Sequence, residues 1–301
     1  MRSNNKISRR NIIKAGAAAG IAGSVTAIES ESQARNFEKT DQPTIVAYMG
    51  QHCHNPIMLE LNLRGTLAKM NWRVLFTQYG ELFTPELIDI ADVCLTFAGN
   101  TNNNGNFYKD FAVGYVPEGV VEKRPPSGKF MREDQERAIH ENVQNRGMGF
   151  LSLHNSIYRP RPLIMNMLDC EWAMHTPIQN VMYWKFNNSH PITRGIEPFM
   201  ESDEQFFSRN HNPGHTILFE SKGADYNHET VSGWCGDYGK GRFVSLLPGH
   251  TEFVWRNPGW QQLVLRSCLW LMKMPIPENT LELVEAQRPY SGDYGKITWQ
   301  K

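Results

Sequence analysis

Trp234-Cys-Gly-Asp-Tyr-Gly-Lys-Gly-Arg242-Phe-Val-Ser-Leu-Leu247-Pro-Gly-His250-Thr251 joins a glycine-rich turn to a mostly apolar run and delivers a histidine just past its end. An amphipathic segment closing on Leu269-Trp270-Leu271 follows. The pattern is that of a tight turn, a buried strand and a helix. In open α/β sheets, ligands occupy the crevice outside the carboxyl ends of the strands, so position alone makes His250 a site candidate. The competing reading is a histidine that only fills the turn before the next helix. Gly239-Lys-Gly241 lacks the remaining residues of a phosphate loop, which leaves Lys240 in a solvated turn.

Upstream, residues 44–49, 72–77, 93–97 and 147–153 are short runs rich in apolar and β-branched residues, each read as a buried strand. Residues 57–70, 85–90, 132–145 and 162–168 carry helical spacing or helix-start signals, and residues 258–273 form the last helix. Strands alternating with helices predict an α/β fold, a layered, mainly parallel sheet with helices on both faces. Further strands are expected at 181–186, 217–220, 231–234 and 243–247. Residues 100–129 are rich in Asn, Gly and Pro without periodicity, which suggests a functional loop or lid. Residues 275–301 read as an extended arm through which a homo-oligomer could form.

Parallel strands bring their carboxyl ends to one edge of the sheet. There the sequence places His52 and His54 after the first strand, His154 after the middle one and His250 after the last. Asp203-Glu204 adds carboxylates. Such a set can bind a divalent metal, with imidazole suiting Zn, Fe or Ni, through His52, His54, His154 and His250. It can equally perform metal-free acid–base chemistry, with His154, His250, Glu204 and Asp203 as the catalytic group. His52, His54, Asn155 and Arg159 are the candidate substrate contacts. His140, His175, His211, His215 and His228 are read as solvated.

Hydrophobic residues make up 40% of the chain and charged ones 21%, with a formal net charge of zero. That balance gives no basic face for nucleic acid. Ser8-Arg9-Arg10-Asn-Ile-Ile-Lys14 precedes a weakly apolar Ala/Gly run and two small-residue cleavage sites, ending at Ala27 and Ala34. This resembles a twin-arginine export signal over residues 1–34, which makes the protein periplasmic or otherwise extracytoplasmic. The run is too short for a stable membrane anchor. Five widely spaced cysteines form no Cys-x-x-Cys, and Cys94 and Cys268 sit in apolar runs as core fillers.

The ordered set Gly147-Met-Gly149-Phe-Leu-Ser-Leu-His154, His190-Pro-Ile-Thr-Arg-Gly195-Ile, Asp203-Glu204, Tyr238-Gly-Lys-Gly-Arg242 and Gly249-His250 resembles the trehalose-utilisation (ThuA-like) family over residues 44–274. The resemblance implies a flavodoxin-like fold of the class I glutamine amidotransferase type, in one domain spanning 35–274. In those amidotransferases a strand-to-helix elbow carries a nucleophilic cysteine. His154 occupies that elbow here, so glutamine hydrolysis is not expected. Gly50-Gln-His52-Cys53-His54 departs from the family's Gly-Gly-His-x-x-His spacing.

The family's tie to sugar catabolism implies an exported enzyme that isomerises, epimerises or eliminates at a sugar or keto-sugar. A metal-dependent hydrolase of a glycoside or amide, and a non-catalytic sugar-binding protein, are the alternatives.

Overall fold

Six consecutive buried residues, Thr44–Met49, form β1, and Asn55 then caps the helix α1, Pro56–Leu67, by accepting from Ile57 N and Met58 N. The computed structural model describes residues 37–50, 54–99, 131–209 and 214–285. The chain divides between Glu38 and Lys39, and every helix and strand among the described residues belongs to the unit that starts at Lys39. The leader, His52, the 100–129 loop, His211 and residues 286–301 lie outside the described residues.

The chain continues through β2 (Arg73–Thr77), α2 (Pro85–Asp89), β3 (Val93–Phe97), α3 (Glu133–Glu141), β4 (Gly149–Leu153) and α4 (Pro162–Leu168). Six strands come next: β5 (Glu171–His175), β6 (Gln179–Trp184), β7 (Phe199–Asp203), β8 (Phe206–Arg209), β9 (Thr216–Gly223) and β10 (Glu229–Tyr238). Finally come β11 (Gly241–Leu246), α5 (Glu252–Arg256), α6 (Pro258–Leu271) and α7 (Leu281–Glu285).

Among the described residues, one nine-stranded sheet runs β2-β1-β3-β4-β11-β10-β9-β6-β7, and β5 pairs with β8 in a separate ribbon. The first five strands are parallel, and from β10 onward every pairing is antiparallel. The sheet is therefore mixed, where the sequence suggested a mainly parallel one. The difference follows from burial. β1, β3 and β4 are buried on both faces and take helical crossovers, whereas β6 and β9 alternate buried with half-exposed residues and join their neighbours without helices between them.

One face of the parallel block packs Ile45, Ala47, Leu95, Leu151, Leu153 and Leu246 with Leu59 and Leu63 of α1 and Leu263, Val264 and Cys268 of α6. On the other face, Tyr48 meets Phe83, and α4 packs on β11.

Residues 280–284, expected as the start of an extended arm, instead fold back on α6. Val284 is fully buried, and buried Arg266 donates to Thr280 Oγ1 and to the Arg194 carbonyl. Cys94, Cys170, Cys235 and Cys268 are buried, reduced and separate. Among the described residues no helix is long and apolar enough to cross a membrane.

Candidate functional site

His154 is the first residue past β4 and holds φ at +47°, a left-handed conformation that costs an L-residue about 1 kcal/mol or more. Its ring is fully buried, stacked on Phe97 at 5.1 Å and set against Phe206 at 4.3 Å. Nδ1 lies 2.7 Å from the Leu247 carbonyl. A carbonyl only accepts, so Nδ1 carries the proton and Nε2 presents its lone pair. Nε2 is buried without a hydrogen-bond partner, 3.6 Å from Glu204 Oε2.

His250 is placed through its backbone. Asp203, fully buried at the end of β7, accepts from Gly249 N at 2.8 Å, His250 N at 2.9 Å and the Tyr183 hydroxyl at 2.7 Å. Gly249 holds φ at +121°, and Trp255 Nε1 donates to its carbonyl, which fixes the turn that aims His250 at the sheet edge. Burial pushes the Asp203 carboxyl above its usual range, against the pull of these donors and of nearby His154 and His250. Asp203, expected in the catalytic group, therefore lies behind His250 as its anchor.

His54 enters from the β1–α1 connection, nearly buried. Gly50 opens that connection at φ +101°, where a Cβ would come within 2.6 Å of Pro56 Cβ. His54 Nε2 is 3.1 Å from His250 Nδ1, and that same nitrogen is 3.2 Å from Glu204 Oε2. One imidazole nitrogen holds either a proton or a lone pair, so it cannot serve the carboxylate as donor and His54 as acceptor together.

Three imidazole nitrogens so placed can hold a divalent cation. Ligand nitrogens about 2.0–2.1 Å from a tetrahedral metal lie roughly 3.3 Å apart, close to the 3.1 Å between His54 Nε2 and His250 Nδ1. Ligand nitrogens of His54, His154 and His250 all lie within 4.8 Å of one another.

The surroundings suit the same role. Metal-bound histidines are held by a hydrogen bond from the other ring nitrogen, and His154 has one to Leu247. For His54, Asn155 Nδ2 is 3.4 Å from Nδ1, and Asn155 Oδ1 is buried with no partner. A half-turn of that amide lets Oδ1 accept from His54 Nδ1–H and frees Nε2 as a ligand.

Glu204 flanks the trio on the His154 and His250 side. Burial alone would raise its carboxyl, but the His154 and His250 rings beside it outweigh this and hold it far below the usual range. For His250, burial disfavours the charged ring, and Glu204 and Asp203 more than compensate, so its pKa is raised.

The depressed carboxyl stabilises the fold above an unfolded value of about 4.3, and the raised histidine does so fully below about 6.5. In metal-free protein, His250→Gln should therefore lower the melting temperature most between about pH 4.5 and 6.5. The loss should shrink as pH rises through the His250 value and as it falls toward that of Glu204. Equal losses at pH 5.5 and pH 9 would show that the pair does not form.

His52 is outside the described residues, and Arg159 is exposed, its guanidinium 5.1 Å over the Tyr158 ring. His175, read as solvated, is exposed and also reaches the site. Its Nδ1 is 2.9 Å from the Thr176 carbonyl and 3.5 Å from Glu204 Oε1, and its ring stacks on Phe206. A surface cavity of about 450 Å³ lies at the opposite, amino end of the parallel strands, and its charges pair internally as Lys39–Asp92 and Arg146–Asp89.

The sequence pattern of ThuA, described as trehalose utilisation, matches residues 119–271, half of the chain. The chain belongs to the ThuA family. A ThuA-like protein from Parabacteroides merdae is similar at 14% identity and a TM-score of 0.60, covering 79% of this chain and 94% of that one. A ThuA-like protein from Bacteroides uniformis gives 14% identity and a TM-score of 0.54, covering 78% and 94%. Gan42B, a GH42 beta-galactosidase, shares the fold at 9% identity and a TM-score of 0.50, over 78% of this chain and 30% of its own. No curated protein matches the chain by sequence. Within this ThuA-family chain, the matched segment contains His154, His175, Glu204 and His250, while His54 lies upstream of it.

Proposed function

We propose that this ThuA-family protein is an exported enzyme that acts on a sugar or keto-sugar, with a divalent metal held by His54, His154 and His250. The reaction class is isomerisation, epimerisation or elimination. The observation that carries the reading is the convergence of three histidine nitrogens around the buried, unpartnered Nε2 of His154. A bound divalent ion would supply Lewis acidity toward a sugar carbonyl or hydroxyl.

The protein's own groups do the rest. Glu204 places a carboxylate beside His154, His250 and His175 in the cleft. It serves to balance the charge of the cleft and to orient His175. His175, half-open to solvent, is the imidazole left to move a proton. Phe97 and Phe206 keep water from the inner side of His154.

The order β2-β1-β3-β4-β11 supports a flavodoxin-like layering of the class I amidotransferase type, with His154 in place of the elbow cysteine. The family's description as trehalose utilisation supports a saccharide. Export rests on Arg9-Arg10 and the run after them.

Elemental analysis of protein purified without chelator is the test. Near-stoichiometric Zn, Fe or Ni is expected, with chelator abolishing turnover across a panel of saccharides and keto-saccharides. A metal-free, fully folded protein that turns over nothing in the panel would overturn the reading. Intact mass of the same preparation reports cleavage after Ala34 or Ala27, and an uncleaved chain would remove the export claim.

A further inference from the structure

Four parallel strands end side by side in the order β1, β3, β4 and β11. Three of them lead into the ligand histidines: β1 into His54, β4 into His154 and β11 into His250. β3 ends in Phe97 and supplies no ligand, yet its end touches every connection that does. The Phe97 carbonyl accepts from Gly50 N at 3.1 Å, where the connection to His54 opens. The next amide, Ala98 N, donates to Ser156 Oγ in the turn that begins with His154.

The Phe97 ring, fully buried, makes the same links through its side chain. It stacks on His154 with the planes 26° apart and meets His54 at 71°, the centroids 5.1 Å apart in both pairs. Trp255 lies 6.1 Å from it and donates from Nε1 to the Gly249 carbonyl. A Cβ on Gly249 would come within 3.3 Å of Trp255 Nε1 and 3.4 Å of Phe97 Cε2, so the turn before His250 rests on both rings. Trp255 is in turn fully buried, with Trp260 set against it at 89°.

Three imidazoles on three separate connections share no backbone element, so their mutual geometry depends on what they all touch. A close-packed interior transmits a displacement instead of absorbing it. We propose that Phe97, backed by Trp255, is the positioning residue of the histidine trio. It offers no ligand atom, but it sets the angle at which the three nitrogens meet, and with it the affinity and geometry of the bound ion. The inference rests on the metal reading of the cleft and adds that a hydrocarbon ring tunes it.

Titration of the full-length, metal-free protein with Co(II) tests it, because the visible bands of bound Co(II) report coordination geometry while the titration gives affinity. Phe97→Leu keeps an apolar side chain in the core and removes the flat face. It should bind Co(II) about tenfold to a hundredfold more weakly, the range for losing a support behind a metal ligand, and with altered bands. Trp255→Phe keeps a ring but loses the hydrogen bond to Gly249, and it should show a smaller change of the same kind. Phe150→Leu is the control, since Phe150 is equally buried but faces the other side of the sheet from Phe97. It should lose stability and keep the parent's affinity and bands.

Parental affinity and bands in a folded Phe97→Leu protein would overturn the proposal. An equal loss of affinity in Phe150→Leu would do so too, by marking a general softening of the sheet. Where Phe97→Leu does not fold, Trp255→Phe decides, and unchanged bands and affinity there count against the proposal. Native protein that binds neither Co(II) nor Zn(II) would remove the metal reading and this inference together.

Discussion

Replacing His154 by alanine is expected to empty the metal site and lower turnover by at least about a thousandfold, while the protein stays folded. The loss is large because Nε2 is the most deeply buried of the three ligand nitrogens. Removing a group on which the chemical step depends commonly costs several kcal/mol of transition-state stabilisation.

Stability moves differently. Deleting the ring opens a cavity between Phe97 and Phe206, which is destabilising. His154→Gly should be more stable than a φ of +47° allows for alanine, since glycine adopts that conformation without a Cβ penalty. His175→Ala separates the roles further, because it should keep the metal and lose turnover. Metal analysis, melting curves and steady-state rates on the three variants decide the matter. Full metal content and full turnover in His154→Ala would refute the assignment.

Asp203→Ala is expected to cost about 3–5 kcal/mol of stability, the range for breaking a buried polar network. Three donors lose their acceptor at once: Gly249 N, His250 N and the Tyr183 hydroxyl. The Tyr183 phenol is pushed well above its usual pKa by burial and by Asp203, so it stays a donor. Asp203→Asn keeps one acceptor oxygen, and the hydroxyl can rotate to accept from the new amide, so its cost should be clearly smaller.

Both variants should also weaken metal binding, because His250 loses the anchor that aims its ring. Denaturant unfolding paired with metal titration measures the two effects. An Asp203→Ala protein as stable as the parent would show that the carboxylate does not organise the turn.

The strand ends that carry His54, His154 and His250 are readable in the sequence, because each follows a mostly apolar run of β-forming residues. Asp203 and Glu204 are visible as a pair, but their division of labour is not. Successive residues of an extended chain face opposite ways, and only the packed structure tells which side is buried. Asp203 turns inward to the backbone of the next loop and Glu204 outward to the histidines.

His175 escapes notice for a related reason. A register shift between Trp172 and Met174 destroys the alternation that would mark β5 as a strand, and the exposure pattern of Glu171–His175 has no period of two. Of the antiparallel half, β6, β9 and β10 are expected in part at 181–186, 217–220 and 231–234, whereas β7, Phe199–Asp203, carries too few apolar residues to stand out. The helix Leu281–Glu285 is too short to declare a helical period.

β11 has two kinds of neighbour, β4 in parallel and β10 across a tight antiparallel turn. The hairpin closes over a few residues and forms early at little entropic cost, whereas pairing β11 with β4 closes a loop of about ninety residues and comes late. His154 and His250 meet only through that second step, and Leu247, at the end of β11, is what orients the His154 ring. A ribosome-bound chain lacking β11 could therefore fold much of its amino-terminal half and still have no competent centre. Assembly of the histidine cleft is the act that completes the fold.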